Sequence, residues 1–213
     1  LNRLKDLICY LSGPIDFAKD NGCMWRNSLT PFLENKNVKV INPLKHIFYG
    51  TQDLDTVKRP KMAKLLEEGR YEELHREMKE LTHWDLRSVD LSSFLIVNYD
   101  IDTFTCGTHE EIFKANTQMK PVLFMIGEGN RTKMPKWMHG RFHPEHMFET
   151  WEELKQYIVK VDSNPNYWFT EVDKKRWLFF DGDHMLDTAT DTLLDTKIEE
   201  EKKERPWITF SYQ

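Results

Sequence analysis

Residues 94–115 read FLIVNYDIDTFTCGTHEEIFKA, and this stretch decides the fold. Phe94 to Tyr99 is an apolar run that reads as a buried strand. From Thr103 to Ala115 the chain turns into a short amphipathic segment that ends before Lys120-Pro121. A strand, a turn and a helix start therefore meet here. In an open parallel sheet, ligands bind beyond the carboxyl ends of the strands, where helix N-termini present N–H groups and partial positive charge. Glu111 is expected in the first turn of that helix, projecting into such a crevice. The same letters also spell a capping box, with Thr108 as N-cap and Glu111 reaching back to its N–H. The neighbouring segments must decide between the two.

Working outward, Leu7 to Leu11 reads as a strand stopped by Ser12-Gly13-Pro14, and Asp16 to Cys23 as a polar loop. Met24 to Asn35 carries Trp25, Leu29, Phe32 and Leu33 at helical spacing. Val38 to Ile41 is a second strand, closed by Asn42-Pro43. These pieces make a βαβ unit, whose crossover is right-handed almost without exception. Residues 44–80 form an insertion: a loop over His46 to Asp55 with exposed Phe48 and Tyr49, then helix over Lys61 to Leu81, broken near Gly69. Mixed charges at helical spacing give that helix a solvated face. Helix continues over Thr82 to Ser92 and leads into the Phe94 strand.

Pro121 to Ile126 is a further buried strand, Gly127 to Pro144 a Gly- and Pro-punctuated loop, and Glu145 to Phe148 a short fifth strand. Thr150 and Glu153 form a capping box that opens the last helix. The alternation predicts an α/β fold over residues 1–162, a three-layer sandwich around a mainly parallel five-stranded, Rossmann- or flavodoxin-like sheet. Beyond Asp162 the pattern changes to Tyr167-Trp-Phe169, Trp177-Leu-Phe-Phe180, Asp181-Gly-Asp183 and the charged run Glu199 to Arg205. Residues 163–213 are expected to form an appendage that covers the core or joins a partner subunit.

The 213 residues carry 30 Lys plus Arg against 35 Asp plus Glu, a net charge of -5, and no basic stripe that would recommend a nucleic-acid duplex as partner. No apolar run approaches the ~20 residues of a membrane span. The apolar run from Leu7 to Ile15 is interrupted by Ser12-Gly13-Pro14 and reads as a strand rather than a signal peptide. Cys9, Cys23 and Cys106 are odd in number and lack metal-ligand spacing, which fits a reducing cytoplasm and neither a disulfide framework nor a structural zinc site. His139, His143, Glu145 and His146 fit no common zinc pattern, with Pro144 interrupting them. Gly127-Glu-Gly129 lacks the lysine of a phosphate-binding P-loop, and Asp181-Gly-Asp183 lacks the remaining ligands of a calcium loop. No metal or cofactor is expected.

Three segments line up: Tyr10-Leu-Ser-Gly-Pro14 at the end of the first strand, Asp85-Leu-Arg-Ser-Val-Asp90 ahead of the third, and Gly107-Thr-His-Glu-Glu111 after it. In order and spacing, from about Ile8 to Leu154, they resemble the nucleoside 2-deoxyribosyltransferase superfamily, which includes the 2'-deoxynucleoside 5'-phosphate N-hydrolases. Met134-Pro-Lys-Trp137 resembles the loop that the family carries ahead of its last strand. The resemblance implies that Glu111 is the nucleophile, that Asp85 supplies or relays a proton to the leaving base, and that Tyr10 orients Glu111. It also implies that Ser12, Gly13 and Pro14 form a wall for base or sugar. The chemistry is coherent, because a carboxylate on the sugar face opposite the base can capture an oxocarbenium-like C1' as an ester.

Six residues before the nucleophile the deoxyribosyltransferases carry an aspartate that holds a 5'-hydroxyl, and the nucleotide hydrolases a serine that contacts a 5'-phosphate. This chain has Thr105 there. A hydroxyl followed by Gly107, Thr108 and their helix N–H groups suits a phosphate, whereas Asp102, three residues upstream, would suit a free hydroxyl. Asp16 and Arg26 are further polar candidates near the first-strand loop. The expectation is therefore cleavage of the N-glycosidic bond of a (deoxy)nucleoside 5'-monophosphate by water. Transfer of the sugar to a second base, a non-catalytic nucleotide-binding module and glycosyl transfer to a macromolecule remain open. A homodimer or higher homo-oligomer is expected, in part from the family.

Overall fold

The computed structural model describes residues 2–18, 20–45, 54–103, 105–163 and Trp177, with the side chains of 54–59 and the remaining residues outside the description. The chain divides into two compact units, Leu1–Arg176 and Trp177–Gln213. The sheet and its helices belong to the first. Most of the expected appendage, and the Phe48–Tyr49 loop, lie outside the described residues.

Five strands form one sheet: β1 (Ile8–Ser12), β2 (Lys39–Ile41), β3 (Phe94–Asn98), β4 (Val122–Met125) and β5 (Met147–Phe148). Their order is β2-β1-β3-β4-β5 and every pairing is parallel. This is the flavodoxin-like order, with the chain changing direction across the sheet between β1 and β3. The sheet expected to be mainly parallel is wholly so.

The helices are α1 (Cys23–Glu34), α2 (Leu54–Glu67), α3 (Tyr71–Leu91), α4 (Cys106–Thr117), α5 (Lys136–Arg141) and α6 (Trp151–Ser163). Strand alternation sends Tyr10, Leu95, Val97, Val122 and Phe124 to one face, where they pack with Val89 of α3, Ile112 and Ala115 of α4 and Met138 of α5. Cys9, Leu11, Phe94, Ile96 and Leu123, between them in sequence, are also fully buried. The central strands are thus covered on both faces, as parallel sheets require. Trp25 of α1 stacks on Trp151 of α6, with ring centroids 5.5 Å apart, which joins those two helices.

Several boundaries differ from the sequence expectations. The break near Gly69 is real: Gly69 sits at φ 68 between α2 and α3, a left-handed conformation that favours glycine. Helix begins at Leu54, inside the segment read as a loop up to Asp55. The 127–144 stretch contains a 3-10 turn at Arg131–Lys133 and α5, because Met134, Met138 and Phe142 supply a short apolar stripe that the core buries. The Thr150–Glu153 capping box forms: the Glu153 N–H donates to Thr150 Oγ1 at 3.2 Å, and the Thr150 N–H to Glu153 Oε2 at 3.3 Å.

Candidate active site

β1 ends in Tyr10 and Ser12, two residues apart and so on the same face of the sheet. That face meets α4. Tyr10 Oη donates to Glu111 Oε1 at 2.8 Å, and Ser12 Oγ donates to Glu111 Oε2 at 2.5 Å. Both oxygens of one buried carboxylate are held by two fully buried hydroxyl residues of β1.

The capping-box reading of Thr108 and Glu111 does not survive. The N-cap of α4 is Thr105, in extended conformation at φ -141 and ψ 95, so the helix starts one turn earlier. Thr108 is then its third residue and Glu111 its sixth, in the second turn. Two hydroxyl donors on β1 outcompete a single N–H for the Glu111 carboxylate. Thr105 makes no side-chain cap bond of its own. The His109 ring meets its carbonyl instead, with Nδ1 2.5 Å from Thr105 O and Nε2 3.1 Å from Tyr99 Oη. A carbonyl only accepts, so Nδ1 carries a proton and donates to Thr105 O.

A cleft of about 360 Å³ opens beside Glu111 at the carboxyl ends of β1 and β3. The loop after β1 contributes Gly13, Pro14, Asp16 and the exposed ring of Phe17; α4 and its cap contribute Thr105, Gly107, Thr108 and Glu111. The remaining wall is helical: α3 continues beyond the insertion and brings the second carboxylate, Asp85, into the same cleft. Cys106 also lines it. Two candidates stand elsewhere than expected. Ser12 is a buried donor behind Gly13 and not part of the wall. Asp102 is exposed in a loop folded by Asp100, which accepts from the Asp102 N–H and the Thr103 hydroxyl, and it does not line the cleft.

Burial first, and then the Asp85 charge, raise Glu111 from 4.5 to about 7, net of the opposing effects of the Ser12 and Tyr10 hydrogen bonds and of Arg26. Tyr10 is held well above its ordinary value, first by burial and then by the Glu111 and Asp85 charges. Near neutral pH, Glu111 is therefore poised between acid and base.

Arg26 does not face the cleft. It is fully buried, donating to Leu11 O at 3.1 Å, Gly22 O at 2.9 Å and Gly13 O at 3.0 Å, and lying over the Trp25 ring. The loop from Gly13 to Gly22 is wrapped around this guanidinium. Gly22, at φ 71, is required there: a Cβ would overlap both Arg26 Nη1 and Pro14 O. Arg26 thus shapes the cleft wall and adds a cation behind Glu111. Its place in the stripe Arg26, Leu29, Leu33 at helical spacing was the signal that it points inward.

A shallower concavity of about 550 Å³, by Arg131, Met147, Tyr157 and Lys160, shares no residue with the acid pair. His146 is buried and pairs with the Tyr157 hydroxyl at 3.2 Å, while His143 is exposed. Among the described residues no group of acidic, histidine and cysteine side chains is arranged to hold a metal ion, and no helix is long and apolar enough to cross a membrane.

No protein-family model matches the chain, and no curated protein matches it significantly. Among solved structures it is similar to the Clostridium botulinum CMP N-glycosidase BcmB, at 16% sequence identity and a TM-score of 0.42, over 72% of this chain and 98% of that one.

Proposed function

We propose that the protein cleaves the N-glycosidic bond of a nucleoside 5'-monophosphate, with Glu111 as nucleophile. The observation that carries this reading is the Glu111 carboxylate itself. It is buried, held by Tyr10 and Ser12, raised to about 7, and faces a cleft that it shares with a second carboxylate, Asp85. A protein that only bound nucleotides would have no use for a buried carboxylate set beside a second one whose charge opposes it. The resemblance of the three motifs to the deoxyribosyltransferase superfamily points the same way.

In the proposed cycle, ionised Glu111 attacks C1' as the C1'–N bond breaks, and the base leaves with a proton supplied or relayed by Asp85. Water then attacks C1', gives a proton to Asp85 and releases Glu111. The products are free base and the sugar phosphate. Tyr10 and Ser12 keep the carboxylate at a fixed angle and offset part of the cost of its burial.

The 5'-phosphate would lie at Thr105, at the N-terminus of α4, whose first residues Cys106, Gly107 and Thr108 also line the cleft. One observation favours a second reading, an uncharged nucleoside: Asp16, Asp85, Glu110 and Glu111 line the cleft, and no Lys or Arg does among the described residues. Free-base release, followed by chromatography on matched nucleosides and 5'-monophosphates with and without a second base, separates these cases. Release from monophosphates, absent in Glu111→Gln, is the expected result. Turnover of nucleosides alone would move the substrate to the second reading, and product only with a second base would make the protein a transferase. No turnover with retained binding would leave a binding module, or a macromolecular acceptor, as the better account.

A further inference from the structure

The α3 wall of the cleft carries few hydrogen-bonding groups. Met78, Leu81, Thr82, Asp85 and Leu86 line it, with Met62 from α2. The five α3 positions follow the spacing of a single helix face. In mid-helix the backbone N–H and C=O groups bond one another and are closed to a ligand. Among the described residues, this wall can therefore address a bound base through only two side chains, Thr82 and Asp85, one turn apart.

Thr82 also departs from what a helical threonine usually does. Such a hydroxyl commonly turns back onto a preceding carbonyl, as Thr30 does with Arg26 O at 2.7 Å and Thr117 with Lys114 O at 2.8 Å. Thr82 is half-buried, lines the cleft and makes no hydrogen bond within the described residues. Lining the cleft one turn from Asp85, its hydroxyl is placed to meet a ligand atom there.

Resting on the N-glycosidase reading, we infer that Thr82 determines base specificity: its hydroxyl takes the substituent on C6 of a purine while Asp85 serves the neighbouring N7. In a purine these two atoms lie side by side on one edge, N7 as acceptor and the C6 group as amino donor or oxo acceptor. Side chains three apart on a helix are neighbours and can converge on such a pair. A hydroxyl donates to an oxo group and accepts from an amino group, so it admits both. The flanking methionines and leucines present an adaptable apolar surface to the ring faces. The substrate class is thus a 6-amino or 6-oxo purine, with little discrimination between the two.

The test compares kcat/KM for base release from the adenine, hypoxanthine and unsubstituted purine members of whichever substrate series is turned over. The proteins are wild type, Thr82→Val and Thr82→Ser, each checked for folding by thermal melting. The wild type is expected to take adenine and hypoxanthine within about threefold of each other, and Thr82→Val to lose roughly tenfold on both, the worth of one hydrogen bond. Thr82→Val should leave the unsubstituted purine unchanged, and Thr82→Ser should retain the wild-type pattern. Equal loss on all three bases in Thr82→Val, or a wild-type preference for pyrimidines, would overturn the inference while leaving the N-glycosidase reading intact. Absence of base release from every substrate in the wild type would overturn both.

Discussion

On one side of the cleft Glu111 accepts from two buried hydroxyls on β1. On the other, Thr82 lines the cleft with Met78, Leu81 and Leu86, its hydroxyl making no hydrogen bond among the described residues. The first wall is fixed by the sheet. Tyr10 and Ser12 are fully buried, and the loop beyond them is tied to the Arg26 guanidinium by three carbonyls. The second belongs to a single long helix, α3, paired with α2. A reacting group must be held within a fraction of an ångström, whereas a base-binding surface gains from side chains that adjust. The difference suggests a division in which the sheet side holds the chemistry and the helical side selects the substrate. Asp85 is the exception, a carboxylate that α3 brings into the same cleft as Glu111.

The contrast between the walls breaks most decisively at Glu111. If Glu111 is the nucleophile, as proposed, replacing it by Gln should cost roughly 10⁴-fold or more in kcat while substrate binding, read by calorimetry, persists. Comparable activity in Glu111→Gln would end the covalent reading. Asp85→Asn comes next, with an expected loss of about 10²- to 10³-fold in kcat, the usual range for a proton donor. It should also shift the acid limb of the kcat/KM profile to lower pH, since the Asp85 charge is one of the causes that raise Glu111. A limb that stays in place would mean the two carboxylates do not sense one another.

How much of this could be read from the letters differs between the two walls. The parallel sheet follows from apolar runs of strand length separated by helical patterns, whereas the Tyr10, Asp85 and Glu111 triplet comes from the resemblance of three motifs to the deoxyribosyltransferase superfamily. Position along α4 did not follow, because the sequence offers two N-caps, Thr105 and Thr108, and the choice depends on β1 hydroxyls that are nearly a hundred residues away. The Tyr10–Ser12 pair was legible in principle, as residues two apart on a strand share a face, but Gly13 and Pro14 drew Ser12 into the loop. Asp102 lies away from the cleft for a local reason: Asp100 folds the loop through its own carboxylate and leaves Asp102 exposed. On the α3 wall the stripe Met78, Leu81, Thr82, Asp85, Leu86 is written in plain helical spacing. Its function is hidden because the abundant surface charges of the same helix dominate the reading.

Holding a carboxylate ready for attack should carry a cost in stability that can be measured. Glu111 has its pKa raised from 4.5 to about 7 by burial and by Asp85. Between these values the folded protein keeps a proton that the unfolded chain has released, so the contribution is present below 4.5 and is lost as pH rises through about 7. At about 1.4 kcal/mol per pKa unit, the full span is on the order of 3 kcal/mol. Glu111→Gln removes the titration. Urea melts at pH 5 and pH 8 should therefore show the variant gaining stability relative to wild type with rising pH; a constant difference would mean that Glu111 titrates alike in both states.

The smallest effects sharpen the contrast furthest. Ser12→Ala and Tyr10→Phe each remove one hydroxyl from Glu111 and should cost roughly tenfold in kcat, the worth of a hydrogen bond to a charged group. Both bonds lower the Glu111 pKa, with Ser12 the larger of the two. Deleting either raises it further, so less of the enzyme is ionised at a given pH and the acid limb of kcat/KM moves to higher pH, more for Ser12→Ala. Thr82→Val, on the opposite wall, should leave that limb where it stands while changing the choice of base. A shared limb shift among all three variants would show that the walls are coupled through the fold, and opposite responses would show that attack and selection are governed from different sides of the cleft.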